Sequence, residues 1–322
     1  MRMLMNDLLL ITKANFPALF IDRGRVQQQS LGLTQSGPMD EYAFLWANKL
    51  LGNDLNSACI EIAFGKFSLK ALKRCQVAIT GANFNARLNQ HHLANWETLY
   101  LKEGDELLFD GPQMQGTRAY LAVKGGFDCP KPFHSACMVK RERLGGFNEG
   151  EALQVGDGLT SLVEQVQAQT VNVSVYPELI RAYDNKTTIR CRFMPACQWP
   201  LFSSQDQQRF LNQAYRISSQ SDRMGVRLEG EKLKPYNDGI ISEGIALGAI
   251  QVPPDGQPIV LMRDRQTIGG YPKLGTVLST DIERLGQAMP GQKIQFYVSD
   301  IKTAYEERVQ RERFFAPNNA GE

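Results

Sequence analysis

A chain of 322 residues, 43% of them hydrophobic and 22% charged, has the composition of a globular protein and room for two domains. Lys and Arg outnumber Asp and Glu by 36 to 34 and form no block of like charge, which argues against a nucleic-acid partner or an electrostatic membrane anchor. No apolar run in the sequence approaches the length of about 20 residues that is needed to span a bilayer. The six cysteines are scattered along the chain, which predicts free thiols in a reducing cytoplasm.

Short apolar runs bounded by Gly, Pro, Asn or Asp dominate the chain and predict a mainly β fold of barrels or sandwiches. Residues 1–10 contain Asn6 and Asp7 and lack a small-residue cleavage site, so we interpret them as a first strand and not as an export signal. The other predicted strands are Phe67–Ala71, Val77–Thr80, Glu106–Phe109, Ala119–Val123, Thr188–Phe193, Ala249–Val252, Ile259–Met262 and Lys293–Val298.

Helices are few. The predicted helices are Glu41–Leu51, Gln205–Ala214, Asp281–Met289 and a charged C-terminal helix over Lys302–Phe315. The first shows an apolar face and ends at Gly52, a common stop signal. The second opens with Ser204 and Gln207 in the spacing of a capping box.

Three pairs of segments recur in the same order at offsets of about 182 to 187 residues. They are 35–40 with 220–225, 77–80 with 259–262, and 103–109 with 290–296. The preserved order favours duplication, although any two β lobes share apolar strands and Gly-Asp turns. We therefore predict a first β lobe over 1–170 and a second over 186–322, which carries the C-terminal helix, with the boundary in the polar stretch 165–186.

The most informative segment is 248–273, where an apolar strand leads directly into a polar loop. Arg265 offers a planar fork suited to a carboxylate, and Lys273 a compact charge for an oxyanion or phosphate. Asp264 can orient either cation or move a proton. We predict these three as catalytic residues; the alternative is a solvated turn organised by an Asp-Arg pair.

A second group of residues is predicted to bind substrate. Two neighbouring glycines in the same loop permit a close approach by a ligand, and a polar turn near residue 222 opens another strand-like alternation. The predicted substrate-binding residues are Asp222, Arg223, Gln266, Thr267, Gly269, Gly270 and Tyr271. In the first lobe, Asp40 is interpreted as favouring a helix N-terminus, and Lys124 to Phe127 as a turn.

Several common sites are missing from the sequence. It contains no P-loop, no strand-initiated dinucleotide-binding glycine motif, no nucleophile elbow and no H-E-x-x-H. His91 and His92 are adjacent, so on a strand they point to opposite faces, and His134 stands alone. We therefore predict no metal site and no His-dependent triad, and Cys137 has no evident partners that would make it a nucleophile.

Taken together, several motifs resemble one family, the biotin-dependent carboxyltransferases, also called allophanate hydrolase subunit 2. The resemblance covers roughly residues 19–299. Its landmarks are Gly24-Arg25, Ser36-Gly37-Pro38-Met39-Asp40, the run 47–53 with Glu61, Gly125-Gly126, Ser221-Asp222-Arg223-Met224-Gly225 and the run 248–273. One segment departs from the family pattern. Residues His134 to Met138 stand where many members carry Gly-Ser-Arg-Ser-Thr. A ligand-binding role of this segment is therefore unsupported.

The resemblance implies two related cyclophilin-like β-barrel lobes. Members of the family include the C subunit of bacterial ATP-dependent 5-oxoprolinase, the carboxyltransferase part of urea carboxylase and the Kip antagonist protein. For a free-standing chain it implies a cytoplasmic hydrolase subunit that opens 5-oxoproline to glutamate with ATP, together with B-type (allophanate hydrolase subunit 1-like) and A-type subunits. No biotin attachment domain is fused to this chain.

On that implication, Arg265 and Lys273 supply positive charge for a carboxylate and a transferred phosphoryl group. Asp264 or Asp222 positions a proton acceptor, and Tyr271 packs on the substrate ring. Two alternatives stay open: the carboxyltransferase component of a biotin-dependent urea or amide carboxylase, and a non-enzymatic antagonist of a kinase-inhibitor protein.

Overall fold

The computed structural model describes residues 6–164, 173–236 and 239–316. The chain divides into two compact units, residues 1–185 and 186–322. Residues 1–5 of the predicted first strand and 165–172 of the predicted boundary lie outside the described residues. Within the described part, no helix combines the length and apolar character needed to cross a membrane.

The first unit contains two antiparallel sheets and one α-helix. Its elements are β1 (Leu9–Ala14), β2 (Ala18–Ile21), α1 (Glu41–Leu51), β3 (Cys59–Ala63), β4 (Phe67–Ala71), β5 (Cys75–Gly81), β6 (Arg87–Leu88), β7 (His91–His92), β8 (Glu97–Leu101), β9 (Glu106–Phe109), β10 (Arg118–Val123), β11 (Phe127–Asp128) and β12 (Gly158–Ser161). One sheet has the order β11-β12-β1-β4-β9-β6-β7 and the other β2-β3-β10-β5-β8. Apolar side chains from both sheets form one continuous core.

Helix α1 has the predicted bounds, and its ends have evident causes. The Asp40 carboxylate accepts a hydrogen bond from the backbone N–H of Ala43 at 3.2 Å, which satisfies one of the free donors of the first turn. Gly52 ends the helix in the left-handed region with φ 62°. The buried face of the helix packs against β5 and β10.

The second unit is built around a closed barrel. Its elements are β13 (Ile189–Pro195), α2 (Ser204–Asn212), β14 (Tyr215–Ile217), β15 (Gly225–Glu229), β16 (Glu243–Gly244), β17 (Ala249–Gln251), β18 (Ile259–Leu261), β19 (Ile268–Gly269), β20 (Lys273–Val277), α3 (Ser279–Gly286), β21 (Lys293–Val298) and α4 (Ile301–Phe315). The barrel order is β13-β20-β17-β18-β15-β14-β21, with β13 and β21 parallel. Closure leaves no sheet edge exposed, and β16 and β19 form a separate two-stranded ribbon.

The predicted mainly β fold with a few helices is confirmed, but two helix details are wrong. Helix α2 is capped by Ser203, whose hydroxyl accepts from the backbone N–H of Asp206 at 3.1 Å, so the capping residue precedes the predicted Ser204. Helix α3 ends at Gly286, three residues before the predicted Met289.

The proposed duplication does not extend to the strand pairing at its third segment pair. In the first unit, β9 lies between antiparallel neighbours β4 and β6. In the second, β21 has one parallel neighbour, β13, and one antiparallel neighbour, β14. The duplication therefore stays a prediction from the sequence.

Candidate functional site

The loop after β18 is tied to the turn before β15 by an ion pair. Arg223 donates from Nε to Asp264 Oδ2 at 2.8 Å and from Nη2 to Asp264 Oδ1 at 3.0 Å. The backbone N–H of Asp264 also donates to the Arg223 carbonyl at 2.8 Å. Both side chains are largely buried, at 14% and 12% exposure. Such a two-pronged pair holds the loop in one position.

Arg265, the predicted carboxylate ligand, turns inward. Its guanidinium donates to the backbone carbonyls of Ile245 at 3.1 Å and Met262 at 3.4 Å. Burial, with the neighbouring Arg263 adding to it, lowers the pKa of Arg265 to about 10. The residue therefore remains a cation at neutral pH and places positive charge beneath the loop.

Lys273 is the first residue of β20 and contacts two polar residues from distant parts of the chain. Its ammonium pairs with Glu243 on the β16–β19 ribbon, and its backbone N–H donates to Gln198 Oε1 at 2.8 Å. The Gln198 amide also donates to Glu243. The hydrogen bond from Lys273, followed by that from Gln198, lowers the pKa of Glu243. These three residues form the Lys273 cluster.

Gln251 lies directly opposite Lys273 in the pairing of β17 with β20. Its side chain is 2% exposed, and its Nε2 has no hydrogen-bond partner among the residues that the structure describes. Its Oε1 accepts only a long contact from Gln266 Nε2 at 3.5 Å. A buried donor without an acceptor costs about 1–3 kcal/mol, so this amide is a candidate group for binding a ligand in the second unit.

The space beside the Gln251 amide requires a glycine at position 269. A Cβ at this position would lie 2.5 Å from Ile245 Cδ1 and 2.9 Å from Gln251 Nε2, closer than real Cβ atoms come. At Gly270, the next residue, a Cβ would lie 2.9 Å from the Ile240 carbonyl oxygen. The two glycines therefore allow the ribbon to pack closely over β17.

The remaining predicted site residues have different roles. Asp222 Oδ1 accepts from the backbone N–H groups of Met224 at 2.8 Å and Gly225 at 3.1 Å, so it organises its own turn. The Thr267 carbonyl accepts from the backbone of Ile245 at 3.0 Å. Tyr271 is 43% exposed and presents its ring to solvent.

The residues of the candidate site thus include two groups, one of them containing a residue that was not predicted. Arg223, Asp264 and Arg265 make contacts that hold the loop, whereas Lys273 and Gln251 lie at the strand pairing beside the ribbon. An ammonium and an unsatisfied amide donor on two paired strand residues can together bind a small molecule that carries a carboxylate and a carbonyl oxygen. Within the described ranges, no group of three His, Cys, Asp or Glu side chains is placed to hold a metal ion.

Three residues of this arrangement were missed from the sequence. Gln198 and Glu243 reach Lys273 from 75 and 30 residues away, and nothing in their local sequence indicates it. Gln251 did carry a signal, because it is a polar residue between Ile250 and Val252 in an apolar run. A polar side chain at a buried strand position needs a partner.

The first-unit landmarks have structural roles. The Tyr120 hydroxyl donates to Glu61 Oε2 at 2.7 Å and accepts from the backbone N–H of Asp40 at 2.8 Å. Burial, and then the Glu61 and Asp40 carboxylates, raise the pKa of Tyr120 well above its usual range. The backbone N–H of Gly126 donates to the Val123 carbonyl at 2.9 Å, which agrees with the interpretation of that segment as a turn.

Comparison with known proteins shows which family this chain resembles. The model of the carboxyltransferase domain, subdomain A and B, matches residues 31–298. The chain is 34% identical over 312 residues to the C subunit of 5-oxoprolinase from Escherichia coli, covering 96% of each chain. It is 31% identical to the C subunit of 5-oxoprolinase from Haemophilus influenzae, covering 90% of this chain and 91% of that one.

A solved structure shares the fold over almost the whole chain. The K. lactis urea amidolyase superposes with a TM-score of 0.88 at 25% identity, over 98% of this chain and 20% of that one. The match therefore corresponds to one part of a much longer protein. With the family model covering well over half of its length, the chain belongs to the carboxyltransferase family with subdomains A and B.

Proposed function

We propose that this chain is a subunit of an ATP-dependent 5-oxoprolinase complex, which hydrolyses 5-oxoproline to glutamate. The observation that carries the proposal is the end-to-end similarity to the C subunit of 5-oxoprolinase, over 96% of both chains. Overall, one water opens the lactam and a second water is consumed as ATP becomes ADP and phosphate. The B-type and A-type subunits are the proposed partners, in the cytoplasm.

The Lys273 cluster supports this substrate chemically. 5-Oxoproline carries a carboxylate and a lactam carbonyl on one small ring. We assign the carboxylate to the Lys273 ammonium, the carbonyl oxygen to the unsatisfied Gln251 Nε2, and a ring face to Tyr271. Glu243 holds Lys273 in place before binding, and its side chain is 44% exposed, so it can turn outward when a carboxylate arrives.

Hydrogen bonding at the carbonyl oxygen also suits the reaction. A lactam is a poor electrophile, and attack by water on its carbon places negative charge on that oxygen unless the oxygen is first phosphorylated. A fixed donor and a nearby cation stabilise that charge. The buried Arg265 adds positive charge from beneath the loop without a direct contact to substrate.

A second candidate function rests on the match to urea amidolyase. The chain corresponds to 20% of that protein, and a carboxyltransferase role would require a biotinylated carrier and a biotin carboxylase in addition to this domain. In that case the same amide and ammonium would bind a urea-like or amide acceptor.

The test is reconstitution of this chain with the proposed B-type and A-type subunits. We expect glutamate release from 5-oxoproline that requires ATP, requires this chain and is unaffected by avidin, which blocks biotin-dependent transfer. Avidin-sensitive, urea-dependent turnover of ATP would support the carboxyltransferase candidate instead. An intact complex that turns over neither substrate would contradict both enzyme functions.

A further inference from the structure

The first unit contains a buried cation that the proposed reaction does not use. Arg25 follows β2 and is 1% exposed. It is one of the largest side chains that are less than 2% exposed. Its Nη2 donates to the Cys137 carbonyl. Its Nε and Nη1 have no hydrogen-bond partner in the part of the chain that the structure describes.

The position of Arg25 is fixed by its backbone. The Arg25 N–H donates to the Gln35 carbonyl at 2.7 Å. Gly24 has φ 95°, and a Cβ there would lie 2.5 Å from the Gln35 oxygen and 2.9 Å from the Ser36 oxygen. The chain can pass this closely only with glycine, so the backbone of the loop directs the guanidinium inward.

Asp22, a buried carboxylate three residues before Arg25, does not neutralise it. Asp22 accepts hydrogen bonds from the Gly24 N–H at 2.9 Å, the Ser135 hydroxyl at 2.6 Å, the Ala136 N–H at 2.6 Å and the Cys137 thiol at 3.2 Å. Among the described residues, no carboxylate lies within 4.0 Å of the Arg25 guanidinium. Asp22 is therefore committed to the segment 135–137.

A buried guanidinium with two nitrogens unsatisfied is unstable without a further partner. Desolvating a charge costs several kcal/mol in a folded protein unless an opposite charge and hydrogen bonds compensate. A neutral water can accept a hydrogen bond but does not balance the charge. An oxyanion does both, and guanidinium groups are well suited to carboxylates and phosphates.

We propose that Arg25 anchors a buried site for a small oxyanion in the first unit, with a carboxylate or inorganic phosphate as ligand. The ligand accepts hydrogen bonds from Nη1 or Nε, while Nη2 remains on the Cys137 carbonyl. This site consists of residues of the first unit alone, and its existence does not depend on the proposed reaction.

The experiment measures thermal unfolding of the isolated full-length chain with increasing inorganic phosphate, acetate or L-glutamate, against sodium chloride at equal ionic strength. A ligand that binds only the folded state raises the unfolding temperature in proportion to its occupancy. We expect a saturable rise with phosphate or with the carboxylates, and the responding anion identifies the class. No saturable rise with any of them would overturn the proposal.

Two variants test whether Arg25 is responsible for the rise in unfolding temperature. Arg25→Gln should abolish the rise, whereas the matched control Arg143→Gln, which removes an exposed arginine of the same unit (77% exposed), should keep it. A rise that survives Arg25→Gln would overturn the assignment.

If Arg25→Gln does not fold, the NMR signal of the arginine side-chain N–H groups is followed in the unaltered chain. One slowly exchanging arginine signal should shift on titration with the responding anion. Unchanged arginine signals at a saturating concentration would contradict the site.

Discussion

At the residue scale, two ion pairs of the second unit sit in different surroundings. Arg223 and Asp264 are both largely buried and joined by two hydrogen bonds, whereas Lys273 pairs with a half-exposed Glu243. Removing one member of a buried pair leaves an uncompensated charge. Removing Lys273 from the second pair does not, because the half-exposed Glu243 that remains can be solvated by water. The first pair is therefore expected to serve stability and the second to serve binding.

Asp264→Asn should lower the free energy of unfolding by about 3 kcal/mol, since it removes the negative charge that two hydrogen bonds join to the largely buried Arg223 guanidinium. Denaturant unfolding of the isolated chain measures the change. The control is Asp255→Asn at an exposed turn, where the amide can keep the hydrogen bond from the Gln257 N–H, and a change below about 0.5 kcal/mol is expected. Equal stability of the two variants would contradict a structural role for Asp264.

Gln251→Leu should separate stability from function. It removes a buried donor that lacks an acceptor, so stability should be unchanged or slightly higher. If the amide binds the lactam carbonyl, the KM of the reconstituted complex for 5-oxoproline should rise about 10-fold or more, equivalent to about 1.4 kcal/mol. An unchanged KM would remove Gln251 from the site.

At the element scale, helix α4 is attached to α3 and β13 by charged side chains. Arg311 donates to both oxygens of the fully buried Glu283, with the Nη2 contact at 2.8 Å. Arg192 on β13 bridges Asp281 of α3 and Glu307 of α4. The C-terminal helix predicted from its charged sequence is confirmed, and the structure shows that its charges include those that hold it in place.

Arg311→Gln should destabilise the chain by about 3 kcal/mol, because Glu283 loses a bidentate partner in a buried position. Arg308→Gln is the matched control: it breaks an exposed pair with Glu312 one turn away, and such pairs contribute about 0.3–0.5 kcal/mol. Urea unfolding of the two variants distinguishes them. A similar small change in both would show that α4 does not depend on the buried pair.

Acid should weaken this attachment. The hydrogen bond from Arg192 is the largest cause lowering the pKa of Glu307 below its usual value of 4.5. Because the folded-state pKa lies below the unfolded one, the contribution is present above about pH 4.5 and is lost as pH falls through the folded pKa. The stability of Glu307→Gln should therefore fall less steeply between about pH 5 and 3 than that of the unaltered chain.

At the scale of the whole molecule, local sequence predicted much of the fold. The bounds of α1 and of strands β4, β9 and β21 match the prediction, because polar and glycine residues mark their ends. The strand before the polar loop was also found. The Lys273 cluster was not, since Gln198 and Glu243 reach Lys273 only after the barrel closes. Contacts between distant segments leave no trace in local periodicity.

The same distinction applies to the predicted catalytic residues. Their polar character after an apolar strand was apparent from the sequence, but their separation into a loop-holding group and a binding group depends on which backbone carbonyls and side chains they meet. Arg265 illustrates this, because its sequence position suggests a substrate ligand, whereas its contacts include the buried carbonyls of Ile245 and Met262.

The central claim is that the Lys273 cluster of the second unit serves the reaction of a 5-oxoprolinase complex. The most direct measurement is ATP-dependent release of glutamate from 5-oxoproline by the reconstituted complex containing Lys273→Ala. The control carries Lys293→Ala, which removes an exposed lysine from strand β21 of the same barrel. We predict that Lys273→Ala assembles normally but loses at least about 100-fold in kcat/KM, equivalent to about 2.7 kcal/mol, while Lys293→Ala keeps full activity. An assembled Lys273→Ala complex with unaltered activity would contradict the account.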